Sequence, residues 1–383
     1  MKKRDCCEII LNHACDLGCV FCSQADFEPS AFMPAAAAVK HIYTAKRAGF
    51  KRLGFSGGEA LLRPDLPQLV KAARRVGFKA VRLQTNGARL ASIPTAAKLV
   101  RAGLTVCKFT FASHLPETHD RLVGKPGAFK KSLAGLSNIM KLRAAVGVNL
   151  LITKANYRAL PESLRFFMDK GVANFVLIYP IYTGEMARSA GLRVSLPQAA
   201  PYIVKALRLA SDSGLGREVK ALNVPPCLLP GFEQRASGLY RFNTVVVAAD
   251  GVQRDLDSVA AAARRQGPLC ARCFFKTKCR GIDGNYLGIF GWKGISPVKT
   301  KPMPASAKTG PYFTNNEKCF LEILRGGKLL STAAILLAAK GVPLCYDCAD
   351  GANVMITGSA LVKKGLVKRS FKGGNYFWSL NNA

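Results

Sequence analysis

The amino-acid sequence predicts an α/β protein whose amino-terminal part folds as a partial, TIM-like (β/α)6 barrel. Six short apolar segments alternate with helical segments between residues 7 and 179, a pattern typical of parallel sheets built from βαβ units. Three cysteines lie directly after the first apolar segment, at the strand end where β/α barrels build their active sites. Six units leave the barrel open on one side, so we expect room for a large substrate.

The predicted elements follow one another in regular order. The predicted strands are Cys7–Asn12, Arg52–Phe55, Ala80–Gln84, Thr105–Phe111, Val146–Thr153 and Asn174–Tyr179. The predicted helices are Pro34–Ala48, Asp65–Val76, Ser92–Ala102, one that begins at Ala128, and Pro161–Lys170. Lys125-Pro126-Gly127 is predicted to form the turn that precedes the helix at Ala128.

Length and composition predict several domains. A chain of 383 residues with 49% apolar residues can bury sizeable cores and is expected to form two or three domains. We predict the barrel in residues 1–215, a small cysteine-rich region in 216–295, a linker in 296–311 and a separate domain in 312–383. The longest apolar run, Leu329–Ala339, is too short to cross a membrane. Thirteen cysteines, several at metal-ligand spacings, predict a reducing, cytoplasmic location.

The charge is strongly basic and unevenly distributed. The formal net charge is +33, which favours anionic partners such as nucleic acids or acidic substrates. A lysine-rich host proteome is the alternative explanation. The segment Ser258–Pro311 holds ten lysines and arginines against one acid, Asp283, so we expect a local cause for this block.

The three cysteines after the first strand have the spacing of a metal site. They lie in CDLGCVFC as Cys15, Cys19 and Cys22, and thiolates suit iron–sulfur clusters, copper(I) and zinc. Three thiolates hold only part of a cubane that four would close, so one iron would stay open for a substrate or cofactor. A zinc site or chance clustering is the alternative.

The CxxxCxxC spacing, with the aromatic Phe21 before the last cysteine, resembles the cluster loop of radical S-adenosylmethionine (SAM) enzymes. The stretch FSGGEALLRPDL, Phe55–Leu66, also resembles a motif of that family. The resemblance implies that Gly57, Gly58 and Glu59 hold the methionyl amine of SAM. On the residues alone, the two glycines allow close backbone approach to a ligand.

Two further positions match the family on neighbouring strands. Thr85-Asn86-Gly87 resembles a TNG turn that lies near the ribose side of the cofactor, although as a bare motif it is only a turn. Thr110 stands where the family often has a serine that contacts SAM, and it keeps the hydroxyl group.

The resemblance implies the chemistry. The [4Fe-4S] cluster would take one electron from a flavodoxin- or ferredoxin-like donor and pass it to SAM, and the resulting 5′-deoxyadenosyl radical would abstract a substrate hydrogen. The cofactors perform this step while the protein positions and shields the radical. No side chain is required as a catalytic acid or base.

A second cysteine cluster follows the predicted barrel. Cys270, Cys273 and Cys279 have metal-ligand spacing, and Cys227 supplies a fourth thiolate, enough to close a cluster. The region resembles the twitch- or SPASM-type auxiliary region of radical SAM enzymes, which implies one further [4Fe-4S] cluster. Structural zinc is the rival, because four cysteines are also a zinc set. Cys227 could instead be a core residue, which would leave an open iron.

The end of the chain predicts three helices and a hairpin. The helices are Asn316–Arg325, Ser331–Lys340 and Gly351–Lys364, and the hairpin turns at Gly373-Gly374. The order resembles a winged helix, which could bind DNA, bind a peptide at its wing, or only pack on the enzyme. Cys345 and Cys348 form another CxxC pair, for which we favour buried or redox-inert thiols. Cys6, Cys7 and Cys107 are predicted core residues.

Three functions remain open from the sequence. The first is peptide modification by a radical SAM maturase, and the second is radical SAM modification of a nucleic acid or nucleotide. The third is an iron–sulfur regulator that senses redox state and binds DNA. The GGE motif disfavours a sensor, which has no need to hold SAM.

Overall fold

A mostly parallel sheet organises the larger part of the computed structural model, which describes residues 5–215, 218–237, 243–302, 313–327, 329–339, 342 and 351–381. Among these residues, the sheet contains ten strands, listed here in chain order: β1 (Cys6–Ile10), β2 (Arg52–Ser56), β3 (Ala80–Thr85), β4 (Val106–Phe111), β5 (Ala145–Leu151), β6 (Phe175–Ile178), β7 (Val219–Leu222), β8 (Ala236–Ser237), β9 (Thr244–Val247) and β10 (Gln253–Asp255). Their spatial order is β10-β9-β1-β2-β3-β4-β5-β6-β7-β8.

Helices connect the parallel strands as the barrel prediction requires. They are α1 (Ala35–Arg47), α2 (Leu66–Arg75), α3 (Ile93–Ala102), α4 (Pro116–Val123), α5 (Ala128–Lys141), α6 (Leu160–Asp169), α7 (Glu185–Arg188), α8 (Leu196–Asp212), α9 (Leu256–Ala263) and α10 (Gly284–Phe290). Strands β1 to β6 lie side by side in chain order and pair in parallel. The predicted partial barrel is therefore confirmed.

The sheet continues past the six predicted strands at both edges. Strands β7 and β8 extend it beyond β6, and β9 adds to β1 in parallel with β10 antiparallel outside it. The region predicted as separate, 216–295, therefore contributes four strands to the same sheet. A short two-stranded ribbon, β11 (Arg264–Arg265) with β12 (Ile282–Asp283), lies in its cysteine-rich part.

The two faces of the barrel sheet differ in polarity. Alternate side chains such as Phe109 are fully buried beneath the helices, as strand periodicity requires. On the other face Glu8 forms an ion pair with Arg82 and accepts a hydrogen bond from Gln84 at 2.8 Å. Asn149 donates to Gln84 at 3.4 Å. The open interior of the barrel is thus lined by polar groups at this level.

The chain divides into two compact units, residues 1–164 with 173–308 and residues 165–172 with 309–383. The second unit contains α11 (Asn315–Leu324), β13 (Leu330–Ser331), α12 (Thr332–Ala339), α13 (Gly351–Lys363), β14 (Val367–Lys372) and β15 (Asn375–Leu380). Its strands have the order β13-β15-β14. No helix in the described ranges has the length and apolar character needed to cross a membrane.

The core of the second unit is built around Trp378. Its ring is fully buried, packs edge-on against Phe320 at 5.5 Å between centroids, and its indole N–H donates to the Thr332 hydroxyl at 3.0 Å. A Cβ at Gly358 would lie 2.4 Å from this ring, which explains the glycine in α13. The hairpin turns at Gly373-Gly374, where both residues have positive φ.

Candidate functional site

The first three cysteines lie together in the loop between β1 and α1, at the carboxyl end of the sheet. Cys15 is exposed, Cys19 and Cys22 are half-buried, and all three are free thiols. Burial raises the pKa of Cys19, and the charges of Cys15 and Cys22 raise it further. The three thiols therefore interact electrostatically. A metal would displace their protons on binding. This donor set fits three corners of an iron–sulfur cubane.

Helix α4 and the turn after it hold one side of this loop. The amides of Gly18 and Val20 donate to the carbonyl groups of Val123 and Leu122, both at 3.1 Å. Gly124 has φ +68°, and a Cβ there would lie 2.5 Å from the carbonyl oxygen of Gly18. Lys125 adds a hydrogen bond from its ammonium group to the Asp16 carbonyl at 2.9 Å. The segment 119–136 therefore supports the cysteine loop directly.

The segment after β6 holds the other side. The Glu185 amide donates to the Cys22 carbonyl at 2.9 Å, and the Ser189 hydroxyl donates to the Val20 carbonyl at 3.0 Å. A Cβ at Gly184 would lie 2.3 Å from the Cys22 carbonyl oxygen. Backbone contacts from two distant parts of the chain therefore fix the course of the loop.

The two glycines of the GGE motif face the start of the loop. The Gly58 amide donates to Asn12 at 2.9 Å, and the Glu59 amide donates to Ala14 at 2.8 Å. A Cβ at Gly57 would lie 2.3 Å from the Asn12 side-chain oxygen, and one at Gly58 would lie 2.3 Å from the carbonyl of Ala14. The glycines thus allow the backbone to approach the cysteine loop, an effect that the sequence suggested only for a ligand.

Glu59 is completely buried, and its carboxylate forms hydrogen bonds with other groups of the protein. It accepts hydrogen bonds from the Leu61 amide at 3.0 Å and the Asn86 amide at 2.8 Å. The Thr85 hydroxyl lies 2.8 Å from each carboxylate oxygen. Burial outweighs these bonds and raises the pKa of Glu59 to about 7. The expected contact between this side chain and the SAM amine stays a prediction.

Asp16 joins the cysteine loop to the TNG turn, a link that the sequence analysis missed. Its carboxylate accepts hydrogen bonds from the Asn86 side chain at 2.9 Å and from Arg89 at 3.0 Å. The Thr85 hydroxyl also accepts from the Gly87 amide at 2.9 Å. The cysteine loop, the GGE motif and the TNG turn therefore form one bonded assembly. The position of an acid directly after Cys15 was the available signal.

The remaining predicted cofactor residues are Phe21 and Thr110, one in the cysteine loop and one on β4. Phe21 is half-buried within the cysteine loop. Thr110 is half-buried on β4, opposite Asn149 in the strand register. In the part of the chain that the structure describes, no side-chain hydrogen bond joins Thr110 to the cysteine loop.

The second set of cysteines surrounds a single cavity of about 310 Å³. Burial raises the pKa of Cys227 to about 12, and the charges of Cys279, Cys273 and Cys270 contribute to the rise. The Gly281 amide donates to the Cys279 sulfur at 3.3 Å. All four predicted ligands are therefore brought together, Cys227 included. Otherwise the wall is largely apolar, with side chains that include Leu269, Ile282, Trp292 and Ile295.

The donor chemistry of these thiols suits two kinds of metal group. Structural zinc takes four sulfurs about 2.3 Å from one ion. A [4Fe-4S] cluster takes one thiolate at each corner. Four cysteines around one cavity provide the ligands for either.

Four other cysteines are buried in the described part of the chain. Cys6, Cys7 and Cys107 are buried in strands, as predicted for core residues, and Cys319 is buried in the second unit. The pair Cys345 and Cys348 lies outside the described residues.

The amino-terminal part is similar to known proteins. Residues 9–167 match the model of the radical SAM superfamily. The chain is 32% identical over 168 residues to an Fe-coproporphyrin III synthase of Methanosarcina barkeri (strain Fusaro / DSM 804), covering 43% of this chain and 41% of the relative. It is 28% identical over 176 residues to a PqqA peptide cyclase of Gluconobacter oxydans (strain 621H), covering 45% and 49%. The match thus spans about half the length of these curated relatives or less.

Solved structures share the fold over more of the chain. Streptococcus suis SuiB bound to the precursor peptide SuiA has a TM-score of 0.59 at 14% identity, covering 77% of this chain and 75% of that one. The enzyme anSMEcpe with bound AdoMet and the Kp18Cys peptide has a TM-score of 0.57 at 14% identity, covering 78% and 93%. At this identity the likeness concerns the fold.

Proposed function

We propose that this chain, whose residues 9–167 match the model of the radical SAM superfamily, is a peptide-modifying radical SAM enzyme. The main support is the bonded assembly of the cysteine loop, the GGE motif and the TNG turn at the carboxyl end of the barrel strands. Cys15, Cys19 and Cys22 would hold a [4Fe-4S] cluster. A cluster held there would supply the electron for reductive cleavage of bound SAM.

The chain's own residues contribute position and shielding. The contacts of α4 and of residues 184–189 hold the cysteine loop in one course, so the three thiols keep a constant spacing. Gly57, Gly58, Glu59, Thr85, Asn86 and Thr110 are the proposed surroundings of SAM, and Phe21 shields the cysteine loop. In this arrangement Glu59 acts by holding the TNG turn, and an approach of SAM to its carboxylate would need a change in the Thr85 bond.

The central experiment measures 5′-deoxyadenosine in the absence of oxygen, after addition of SAM and dithionite to iron-loaded protein. The parent protein should release it. The C15A/C19A/C22A variant should release none and should lose one cluster's iron, because the open-iron site is gone. The matched control is C270A/C273A/C279A, which also removes three thiols but should keep SAM cleavage. Cleavage by the first variant would contradict the assignment, and no release by the parent would favour a redox sensor.

The second cysteine set is proposed to hold an auxiliary [4Fe-4S] cluster. The four thiols around one cavity support this, and closure by Cys227 would leave no iron open to substrate. The role that remains is acceptance of an electron from the substrate radical. A flavodoxin- or ferredoxin-like protein is the proposed electron donor of the enzyme.

Two independent observations support a peptide substrate. Relatives and neighbours include a PqqA peptide cyclase and structures with bound peptides. In the second unit, β14 is an edge strand among the described residues, so its outer backbone groups can pair with an extended peptide. A groove of about 570 Å³ runs beside it, with Val362, Val367 and Arg369 in its wall. We propose that a precursor peptide docks there on a winged-helix-like domain.

Synthetic peptides from short open reading frames beside this gene would test that docking. Phe371 on β14 is 63% exposed, and Leu337 in the same unit is 70% exposed. We expect Phe371→Ala to weaken peptide binding and Leu337→Ala to leave it unchanged, as measured by fluorescence anisotropy. Equal effects of the two substitutions would contradict docking at β14.

A nucleotide or nucleic acid is the second candidate substrate. The net charge of +33 favours it, and a relative in Sulfolobus acidocaldarius is named a probable GTP 3′,8-cyclase. Incubation of the SAM-loaded enzyme with GTP and with the peptides separately would distinguish the two, because only the true substrate should increase 5′-deoxyadenosine release.

A further inference from the structure

We propose that the loop 268–281, which wraps the second cysteine set, is the docking surface for an acidic one-electron carrier protein. The proposal rests on the auxiliary cluster proposed above and assigns a partner to its outer side. The cysteines of the loop line the cavity, and its charged residues are exposed, with Lys276 also at the cavity wall.

The charge of this loop is unbalanced at the surface. Arg272, Lys276, Lys278 and Arg280 are all exposed. Within the part of the chain that the structure describes, none of the four takes part in an ion pair. Uncompensated cations that surround one spot attract a partner with an acidic surface and raise its rate of association.

Two exposed apolar side chains lie among these charges. Leu269 is 57% exposed and Phe274 is 45% exposed, and each directly adjoins a cysteine of the second set. The Phe274 amide donates to the Val298 carbonyl at 2.7 Å, which holds this turn in place. An apolar centre within a charged rim is the usual composition of a protein interface. Small, short-lived interfaces of this kind are typical of redox partners.

The position of the surface identifies the kind of partner. Electron transfer slows steeply with distance, so a carrier must bring its own redox group close to the thiol-lined cavity. Cys270 and Cys273 are half-buried, line the cavity, and directly follow or precede the exposed Leu269 and Phe274 in the chain. Here four exposed cations share one loop with two exposed apolar side chains and with the thiols. A nucleic acid, which is held mainly through its phosphates, has no use for the apolar centre.

The test uses the full-length, iron-loaded protein and purified flavodoxin, an acidic flavin-containing electron carrier. Binding is measured without oxygen by biolayer interferometry at low and high salt. The variant R272E/K278E/R280E reverses three charges of the loop and leaves the cavity-lining Lys276 unchanged. The matched control K71E/R75E/K79E reverses three exposed charges on and after α2. We expect about tenfold weaker binding for the first variant and less than about threefold for the control.

Several outcomes would overturn the proposal. Equal loss in both variants would mean that only the overall charge attracts the carrier. Loss of RNA binding in the loop variant, with flavodoxin binding unchanged, would assign the surface to nucleic acid. If the loop variant loses iron, the unaltered protein is cross-linked to flavodoxin with a carbodiimide instead. The cross-links should map to Lys276 and Lys278, and cross-links elsewhere would contradict docking at this loop. Iron and zinc analysis of the parent tests the auxiliary cluster separately, so failure of one proposal is distinguishable from failure of the other.

Discussion

The Thr85 hydroxyl lies 2.8 Å from both oxygens of the Glu59 carboxylate, at the carboxyl ends of two neighbouring strands. This pair joins the GGE motif to the TNG turn, and through Asn86 and Asp16 it reaches the cysteine loop. An acid that is wholly buried here acts on the site through its neighbours. Loss of its charge should therefore alter the geometry of the turn as well as any ligand contact.

The first prediction concerns the pH dependence of stability at Glu59. Folding raises the pKa of Glu59 from 4.5 to about 7, so between these values the folded protein keeps a proton that the unfolded chain has lost. The contribution of Glu59 to the free energy of unfolding is therefore largest below pH 4.5. It falls by about 3 kcal/mol in total as the pH rises to about 7. Glu59→Gln, which stays neutral, should lack this component.

The measurement is the melting temperature of wild type and Glu59→Gln between pH 5 and pH 8. The advantage of wild type should shrink by several degrees as the pH rises, while titration of other groups cancels in the comparison. Parallel curves for the two proteins would mean that Glu59 is ionised throughout.

The second prediction concerns Asp16. Asp16→Ala removes the bonds from Asn86 and Arg89. A hydrogen bond to a charged group contributes about 1.5–3 kcal/mol, and the pair with the half-exposed Arg89 contributes less because solvent screens it. The loosened TNG turn should weaken SAM binding about tenfold in an equilibrium titration. Glu28→Ala in the same loop is the control, because within the described ranges the Glu28 carboxylate accepts hydrogen bonds from Ser30 and from no other residue. An unchanged affinity in Asp16→Ala would show that the turn is held without this link.

These long-range links were not predictable from the sequence, whereas the local pattern was. CxxxCxxC and GGE are contiguous, so their resemblance to a family can be recognised from short segments. Asp16 and Gly184 act through residues that are 70 and 162 positions away, and no local period indicates such contacts.

The same distinction applies to the strands. Strands β1 to β6 consist largely of apolar or alternating residues and were predicted, with bounds that differ by a few residues. Strand β10 reads Gln-Arg-Asp and β8 has only two residues, so neither shows a strand pattern. Both strands form because their backbone groups pair with a neighbouring strand at the sheet edge, β10 with β9 and β8 with β7. This tertiary pairing outweighs their weak strand propensity.

The third prediction tests the contact between Gly124 and the cysteine loop. Gly124→Ala imposes a left-handed conformation on alanine, which costs about 1–2 kcal/mol, and also forces a Cβ against the Gly18 carbonyl oxygen. Gly127→Ala has the same conformational cost but causes no clash, because nothing lies within 4 Å of the added Cβ. Only Gly124→Ala should reduce iron bound at Cys15, Cys19 and Cys22. Similar iron content in both variants would mean that the loop accommodates the displacement.

The last prediction concerns the metal held by Cys227, Cys270, Cys273 and Cys279. If this set holds a [4Fe-4S] cluster, protein reconstituted without oxygen should contain about eight irons. The C270A/C273A/C279A variant should contain about four and should still cleave SAM, but without forming product, because the substrate radical loses its electron acceptor.

A zinc site makes a different prediction for the same samples. The parent would contain about four irons and one zinc, and the variant would unfold more easily, because structural zinc contributes folding energy directly. A single Cys227→Ser substitution tests the fourth ligand separately. It should lower the iron content only if the Cys227 thiolate binds the cluster. One zinc per chain in protein made under iron-replete, oxygen-free conditions would replace the auxiliary cluster with a structural zinc site.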